Sequence, residues 1–107
     1  MESLENHLID TENGIIKLLD PPFNKTKLEP GYIKAYLPGV RENGGQYTHA
    51  AMWAIIAFAK LGFGDKALEY YRMINQIEHT RTKEAAIKYK QEPYVIPADI
   101  YLSLIHI

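Results

Sequence analysis

From Ala50 to Ala59 the chain reads Ala-Ala-Met-Trp-Ala-Ile-Ile-Ala-Phe-Ala, without one polar side chain. Thr48 before it is suited to cap a helix, and Gly62 after it tolerates left-handed geometry, so the run predicts a helix from about Tyr47 to Leu61. A helix that is apolar all round is buried on every side. It is too short to cross a bilayer, which takes ~20 such residues. With 107 residues the chain is one modest domain or a piece of a larger one. So small a chain does not readily wrap this helix by itself, and the expected surroundings are further helices outside this sequence. Alone, the chain is expected to aggregate or bind chaperones, because large exposed apolar patches are sticky.

The remaining elements follow from local signals. Residues 1–9 look like the last turns of a helix, with Leu4, His7 and Leu8 on one face. Asp10-Thr11-Glu12-Asn13-Gly14 is a turn, since Asn-Gly readily takes positive φ. Ile15 to Leu19 is too short to assign as strand or buried turn. Asp20 to Thr26 is loop, because Pro21 and Pro22 remove two donors and fix two φ angles. Pro30-Gly31 and Pro38-Gly39 bracket the aromatic segment Tyr32 to Leu37. About the first 46 residues are thus mostly loop, a length that is unusual in a compact domain unless it builds a site. Asp65 is expected to cap an amphipathic helix from Lys66 to about Ile77, which would form a helical hairpin with the apolar helix. Thr82 is expected to cap a third helix from Lys83 to about Tyr89, and Gln91 to Pro97 is extended. The fold class is therefore mainly α, with a loop-rich first half and a helical hairpin. Two helices back to back after such a segment suit one layer of an α/α toroid.

Charge and composition narrow the function classes. The formal net charge of -1 leaves no basic footprint for nucleic acid and no polybasic stretch for anionic lipid. There are no cysteines, which excludes disulfides, thiol nucleophiles and Cys-based zinc sites. The opening residues, Met1 to Asn6, are acidic and polar rather than a secretory signal, and a cytoplasmic location is expected. Asn24-Lys25-Thr26 fits a glycosylation sequon, a match of little weight without such a signal. His7, His49, His79 and His106 have no metal-ligand spacing, so no metal is expected.

The densest polar cluster is Arg41-Glu42-Asn43-Gly44-Gly45-Gln46-Tyr47-Thr48-His49, where a glycine-bearing loop enters the apolar helix. First-turn N–H groups and the helix dipole favour an anion there, Arg41 and His49 add donors, and the glycines allow close backbone approach. The same residues also suit a plain structural reading, with a Gly-Gly turn, a Thr48 cap and His49 as a core histidine bonded to a carbonyl. No phosphate-loop or dinucleotide fingerprint is present. Tyr32, Tyr36, Tyr47 and Trp53 could be platforms for sugar rings or ordinary packing residues. Glu92 and Asp99 could flank a glycosidic bond, although Glu42, beside Arg41 and the glycine turn, is the better-placed carboxylate.

Pro38-Gly39-Val40-Arg41-Glu42-Asn43-Gly44-Gly45-Gln46-Tyr47-Thr48-His49-Ala50-Ala51, followed by Glu92-Pro93-Tyr94-Val95, resembles glycoside hydrolase family 94. The likeness runs from about Glu12 to Tyr101 and is to the glucan-synthase and β-1,2-oligoglucan branch. It implies a late segment of an (α/α)6-barrel catalytic domain over residues 1–101, in which a glucosyl unit passes reversibly between β-linked glucan and inorganic phosphate. It implies His49 at the phosphate, and Tyr36, Arg41, Glu42 and Asn43 on the sugar side. Inorganic phosphate is then a co-substrate, no cofactor is needed, and the partners are a β-glucan oligosaccharide, glucose 1-phosphate and the rest of the barrel. A homodimer and a tether to the inner membrane by other domains both fit the whole protein.

The general-acid aspartate of the family is expected upstream, so Asp10, Asp20, Asp65 and Asp99 are not given that role. The chain alone is therefore expected to be inactive. The family's Thr-Gly phosphate motif is expected downstream. Pro97-Ala98-Asp99 stands where disaccharide phosphorylases carry a sugar-binding glutamine, as in the glucan-synthase branch. Residues 102–107 look like read-through of a sequencing adapter, with no family likeness. The competing readings are a phosphorylase of another β-linked disaccharide such as cellobiose, and a non-catalytic helical interaction module.

Overall fold

The computed structural model describes residues 1–24, 27, 29–40, 42–90, 92 and 95–102, without the side chains of Ile33 and Lys34. Helix α1 (Glu2–His7) leads into a two-stranded antiparallel hairpin, β1 (Ile9–Asp10) and β2 (Ile15–Ile16). The described residues between β2 and β3 are irregular apart from a 3-10 turn at Gly31–Ala35. Then come β3 (Gln46–Tyr47), α2 (Thr48–Lys60), α3 (Gly64–Ile74), α4 (Gln76–His79), α5 (Lys83–Tyr89) and β4 (Asp99–Ile100). β3 pairs antiparallel with β4, Gln46 opposite Ile100 and Tyr47 opposite Asp99. The protein is mainly α, as the sequence predicts.

The turn after β1 is built by side chains. Both Asp10 carboxylate oxygens accept from Asn13, one from its backbone N–H at 3.0 Å and one from its amide at 2.8 Å. Gly14 then takes φ +67, and its Cα lies under the Tyr89 hydroxyl and the His79 ring, where an added Cβ would come within 3.0 and 3.4 Å. The stretch from Ile15 that sequence alone left unassigned is strand β2, and both of its isoleucines are buried.

α2 and α3 form the expected hairpin, linked through Gly62 at φ +90. Their shared core is Ala51, Ile55, Phe58, Ala67, Tyr70 and Ile74, closed from below by Ile16. Phe58 is wholly buried, its ring 5.1 Å from that of Tyr70 and 6.4 Å from that of Phe63. Burying such a side chain stabilises by about 1.5–3 kcal/mol. α1 is tied across this layer by Glu5, which accepts from Lys66 Nζ and from the Tyr70 hydroxyl at 2.6 Å. Those two donors hold the Glu5 carboxyl below its usual range, and Glu5 raises Lys66 in return. A smaller cluster joins Ile15 and Ile100, with Tyr89 and Leu102 against it.

Three expectations need correcting. α2 is not buried on every side: Thr48, Ala51, Ile55 and Phe58 face inward, whereas Trp53 is 65% and Ile56 48% exposed. Its main helical neighbour among the described residues, α3, covers only one stripe of it. Thr48 does not cap α2 with its side chain. Its backbone N–H donates to Ala98 O at 2.9 Å, because β4 lies alongside the helix entry and supplies the acceptor in place of a loop. The amphipathic helix begins at Gly64, with Asp65 inside its first turn rather than capping it. It stops at Ile74, where Asn75 turns extended and its Oδ1 accepts from Ile77 N–H to start α4. Thr82 does cap α5, accepting from Ala85 N–H at 3.1 Å, and Lys90 closes that helix in the left-handed conformation.

Candidate functional site

The loop that enters α2 is folded back on itself. Gly39 N–H donates to Asn43 O at 2.7 Å, and Asn43 N–H donates to Val40 O at 3.0 Å. Gly44 stands at φ +99, and a Cβ there would meet the Pro22 side chain at 3.1 Å. That close approach seats the loop on the proline segment, and Leu18 N–H donates to Gly45 O at 2.9 Å. The glycines thus do what their freedom allows: one turns the chain and both lie buried against neighbouring backbone. A cleft lined by Lys17, Asp20, Pro22, Pro38, Gly39, Gly44 and Leu102 runs beneath this loop, with Lys17 Nζ donating to Asp20 Oδ1 at 3.1 Å.

Two side-chain amides sit at the centre. Asn43 is wholly buried, its Oδ1 accepting from Phe23 N–H at 2.6 Å and its Nδ2 donating to Phe23 O at 2.9 Å and Tyr36 O at 2.8 Å. Gln46 is equally buried; its Oε1 accepts from Ile16 N–H at 2.9 Å and its Nε2 donates to Thr48 Oγ1 at 3.4 Å. The structure therefore brings Tyr36, Asn43 and the start of α2 into one framework. Tyr36 is half-buried, with its ring edge-on to the exposed Tyr32 at 6.3 Å. Glu42 is half-buried beside Asn43. Arg41 lies outside the described residues.

His49 is not a core histidine. It is exposed at the first turn of α2, its ring edge-on to Trp53 at 4.8 Å, one helical turn on. The imidazole and the exposed indole present one polar and one flat apolar surface side by side, an arrangement suited to an anion next to a sugar face. Tyr47 is half-buried opposite Asp99 in the β3–β4 pair, and Glu92 is exposed. Pro93 and Tyr94, from the Glu-Pro-Tyr-Val segment, lie outside the described residues.

Among the described residues the buried histidine is His79, which sequence spacing did not single out. It is 3% exposed, stacks on Tyr89 at 3.7 Å and 8°, and its Nε2 donates to Gly14 O at 2.9 Å. Burial pushes its pKa below the ordinary value, and burial pushes the Tyr89 hydroxyl up. Tyr89 OH in turn donates to Asn13 O. This cluster ties α4 and α5 to the β1–β2 turn. Nothing in the local sequence marks it, since its members come from three distant segments. Among the described residues no group of three His, Asp or Glu gathers as a metal site, and no helix is long and apolar enough to cross a membrane.

Comparison with known proteins gives these features a lineage. The chain is 50% identical over 101 residues to the cyclic β-(1,2)-glucan synthase NdvB of Rhizobium meliloti (strain 1021), a match covering 94% of this chain and 4% of that protein. It is 31% identical to the N,N'-diacetylchitobiose phosphorylase of Vibrio proteolyticus, over 88% of this chain and 11% of the relative. It is 30% identical to the solabiose phosphorylase of Paenibacillus borealis, over 69% of this chain and 9% of the relative. The chain thus spans a small fraction of the length of each curated relative it matches. Residues 1–103 match the model of the glycosyl hydrolase 94 superfamily catalytic domain. The resemblance carried by the glycine loop and the helix after it is one of descent, and the chain belongs to the glycosyl hydrolase 94 superfamily.

Proposed function

We propose that this chain forms the phosphate- and sugar-facing part of an inverting glycoside phosphorylase or glucan-synthesising domain with an (α/α)6 barrel, acting on β-1,2-linked glucan. The observation that supports it most is the pinned glycine loop, which delivers an exposed His49 to the start of α2 beside Trp53. In this reading a phosphate oxygen bonds to the anomeric carbon from the face opposite the leaving oxygen. The glycosidic C–O bond breaks, and a carboxylic acid outside this chain gives its proton to the departing sugar hydroxyl. The products are glucose 1-phosphate and a shortened glucan, and no cofactor takes part.

His49 holds the phosphate with a ring N–H, helped by the positive end of α2. Arg41 and Glu42 flank the acceptor sugar, and Tyr36 offers it a ring face. The β-1,2 linkage follows the relative at 50% identity, whose name carries that linkage. A second reading, phosphorolysis of another β-linked disaccharide, is favoured by the two phosphorylases at 30–31% identity.

The test places this chain in a complete catalytic domain, exchanged for the matching segment of the Vibrio proteolyticus phosphorylase. A folded chimera should cleave N,N'-diacetylchitobiose or a β-1,2-linked glucose disaccharide only when phosphate is present. Within it His49→Ala should slow turnover roughly a hundredfold, the scale of losing one donor to a developing anion. A folded, active chimera indifferent to His49→Ala would contradict the phosphate role. Preference between the two disaccharides decides between the two readings.

A further inference from the structure

The loop-rich first half has many backbone N–H and C=O groups and few strands to pair them, and buried backbone groups left unpaired are costly. Asn43 and Gln46 meet that need from the site loop itself. Each carries a donor and an acceptor on one planar head, so each can bind backbone as a neighbouring strand would. Asn43 engages both the N–H and the C=O of Phe23, at 2.6 and 2.9 Å, and adds Tyr36 O at 2.8 Å. Gln46 takes Ile16 N–H at 2.9 Å and reaches Thr48 Oγ1 at 3.4 Å. Both are 0% exposed. With both donors of its amide used on carbonyls and its head shut away from solvent, Asn43 has none left for a ligand.

We infer that Asn43 and Gln46 are positioning residues, a pair of buried amide staples that fix Tyr36 on one side and the His49 end of α2 on the other, without touching substrate. The functional half of this inference rests on the phosphate-and-sugar reading of the loop; the staples themselves do not. The two staples differ in chemistry. Asn43→Asp keeps the acceptor for Phe23 N–H but sets a carboxylate against two carbonyls that cannot become donors. In Gln46→Glu the Thr48 hydroxyl can rotate and donate, so that staple reverses. Asn43→Asp should therefore be the more disruptive, and it should recover in part as pH falls, when the carboxyl regains a proton to donate.

The experiment is amide NMR on the dilute 107-residue chain. In the wild type the Asn43 side-chain NH2 and the Phe23 N–H should exchange with solvent at least tenfold slower than free amides. In Asn43→Asp the Phe23 protection should be lost, with signals moving at Tyr36 and Glu42 while Ala67 and Ala85 stay in place. Free-amide exchange at Asn43 in the wild type overturns the inference without any variant. Titration with inorganic phosphate and with a β-1,2-linked glucose disaccharide adds the functional arm, with disaccharide affinity expected to fall about tenfold in Asn43→Asp and less in Gln46→Glu. Equal affinity in Asn43→Asp and wild type would overturn the positioning role. Failure of the wild type to bind either probe would count against the functional reading, and protected exchange would still support the staples.

Discussion

His79 carries a consequence that can be measured. It is held below its ordinary value of 6.5, with burial the largest cause and Lys88 adding to it, against the raising effect of the Gly14 and Met73 backbones and Glu78. The unfolded chain therefore takes up a proton on acidification before the folded one does. Stability is full above pH 6.5 and falls as pH drops below it, down to the folded value. Thermal melts should move to lower temperature between pH 7 and pH 5, and His79→Gln should flatten that dependence while lowering stability throughout. Glu5 acts in the same direction but lower, near and below its ordinary 4.5, so the two are separable by pH. Gly44 provides a second residue-scale prediction. At φ +99 with Pro22 Cβ 3.1 Å from an added methyl, Gly44→Ala should cost about 1–3 kcal/mol by chemical denaturation. An unchanged midpoint would mean that the loop is not seated on the proline segment.

At the level of elements, the two faces of α2 should respond oppositely. Phe58→Ala removes a ring from the closed α2–α3 core and should cost about 3–5 kcal/mol. Ile56→Ala, on the open face, should stay within about 0.5 kcal/mol in this chain. The helices were legible because their signals are local: an unbroken apolar run, a Thr82 cap, a glycine link. Boundaries failed where a distant segment intervened, as when Ala98 from the β4 edge took over the work expected of Thr48. The loop that enters α2 could be located from its glycines and polar cluster. That Asn43 and Gln46 lock it inward could not, because their partners Phe23 and Ile16 lie 20 and 30 residues away. The burial of His79 was not legible for the same reason, with Gly14 at a separation of 65.

Across the whole molecule, the exposed apolar side of the helical hairpin is the dominant feature. Trp53, Ile56, Leu61 and Phe63 are all 48% exposed or more. An exposed apolar surface of this kind is prone to association. Sedimentation should show the chain associating as concentration rises, and Ile56→Lys should shift it toward monomer. A wild-type chain that stays monomeric at high concentration would contradict this.

Whether the start of α2 receives phosphate is tested most directly by following the His49 ring signals during titration of the dilute chain with inorganic phosphate. Saturating movement of His49, shared by Glu42 and Ala50 and absent at Ala85, is expected. A His49 ring that does not respond while the rest of the chain is folded would contradict a phosphate site at this loop.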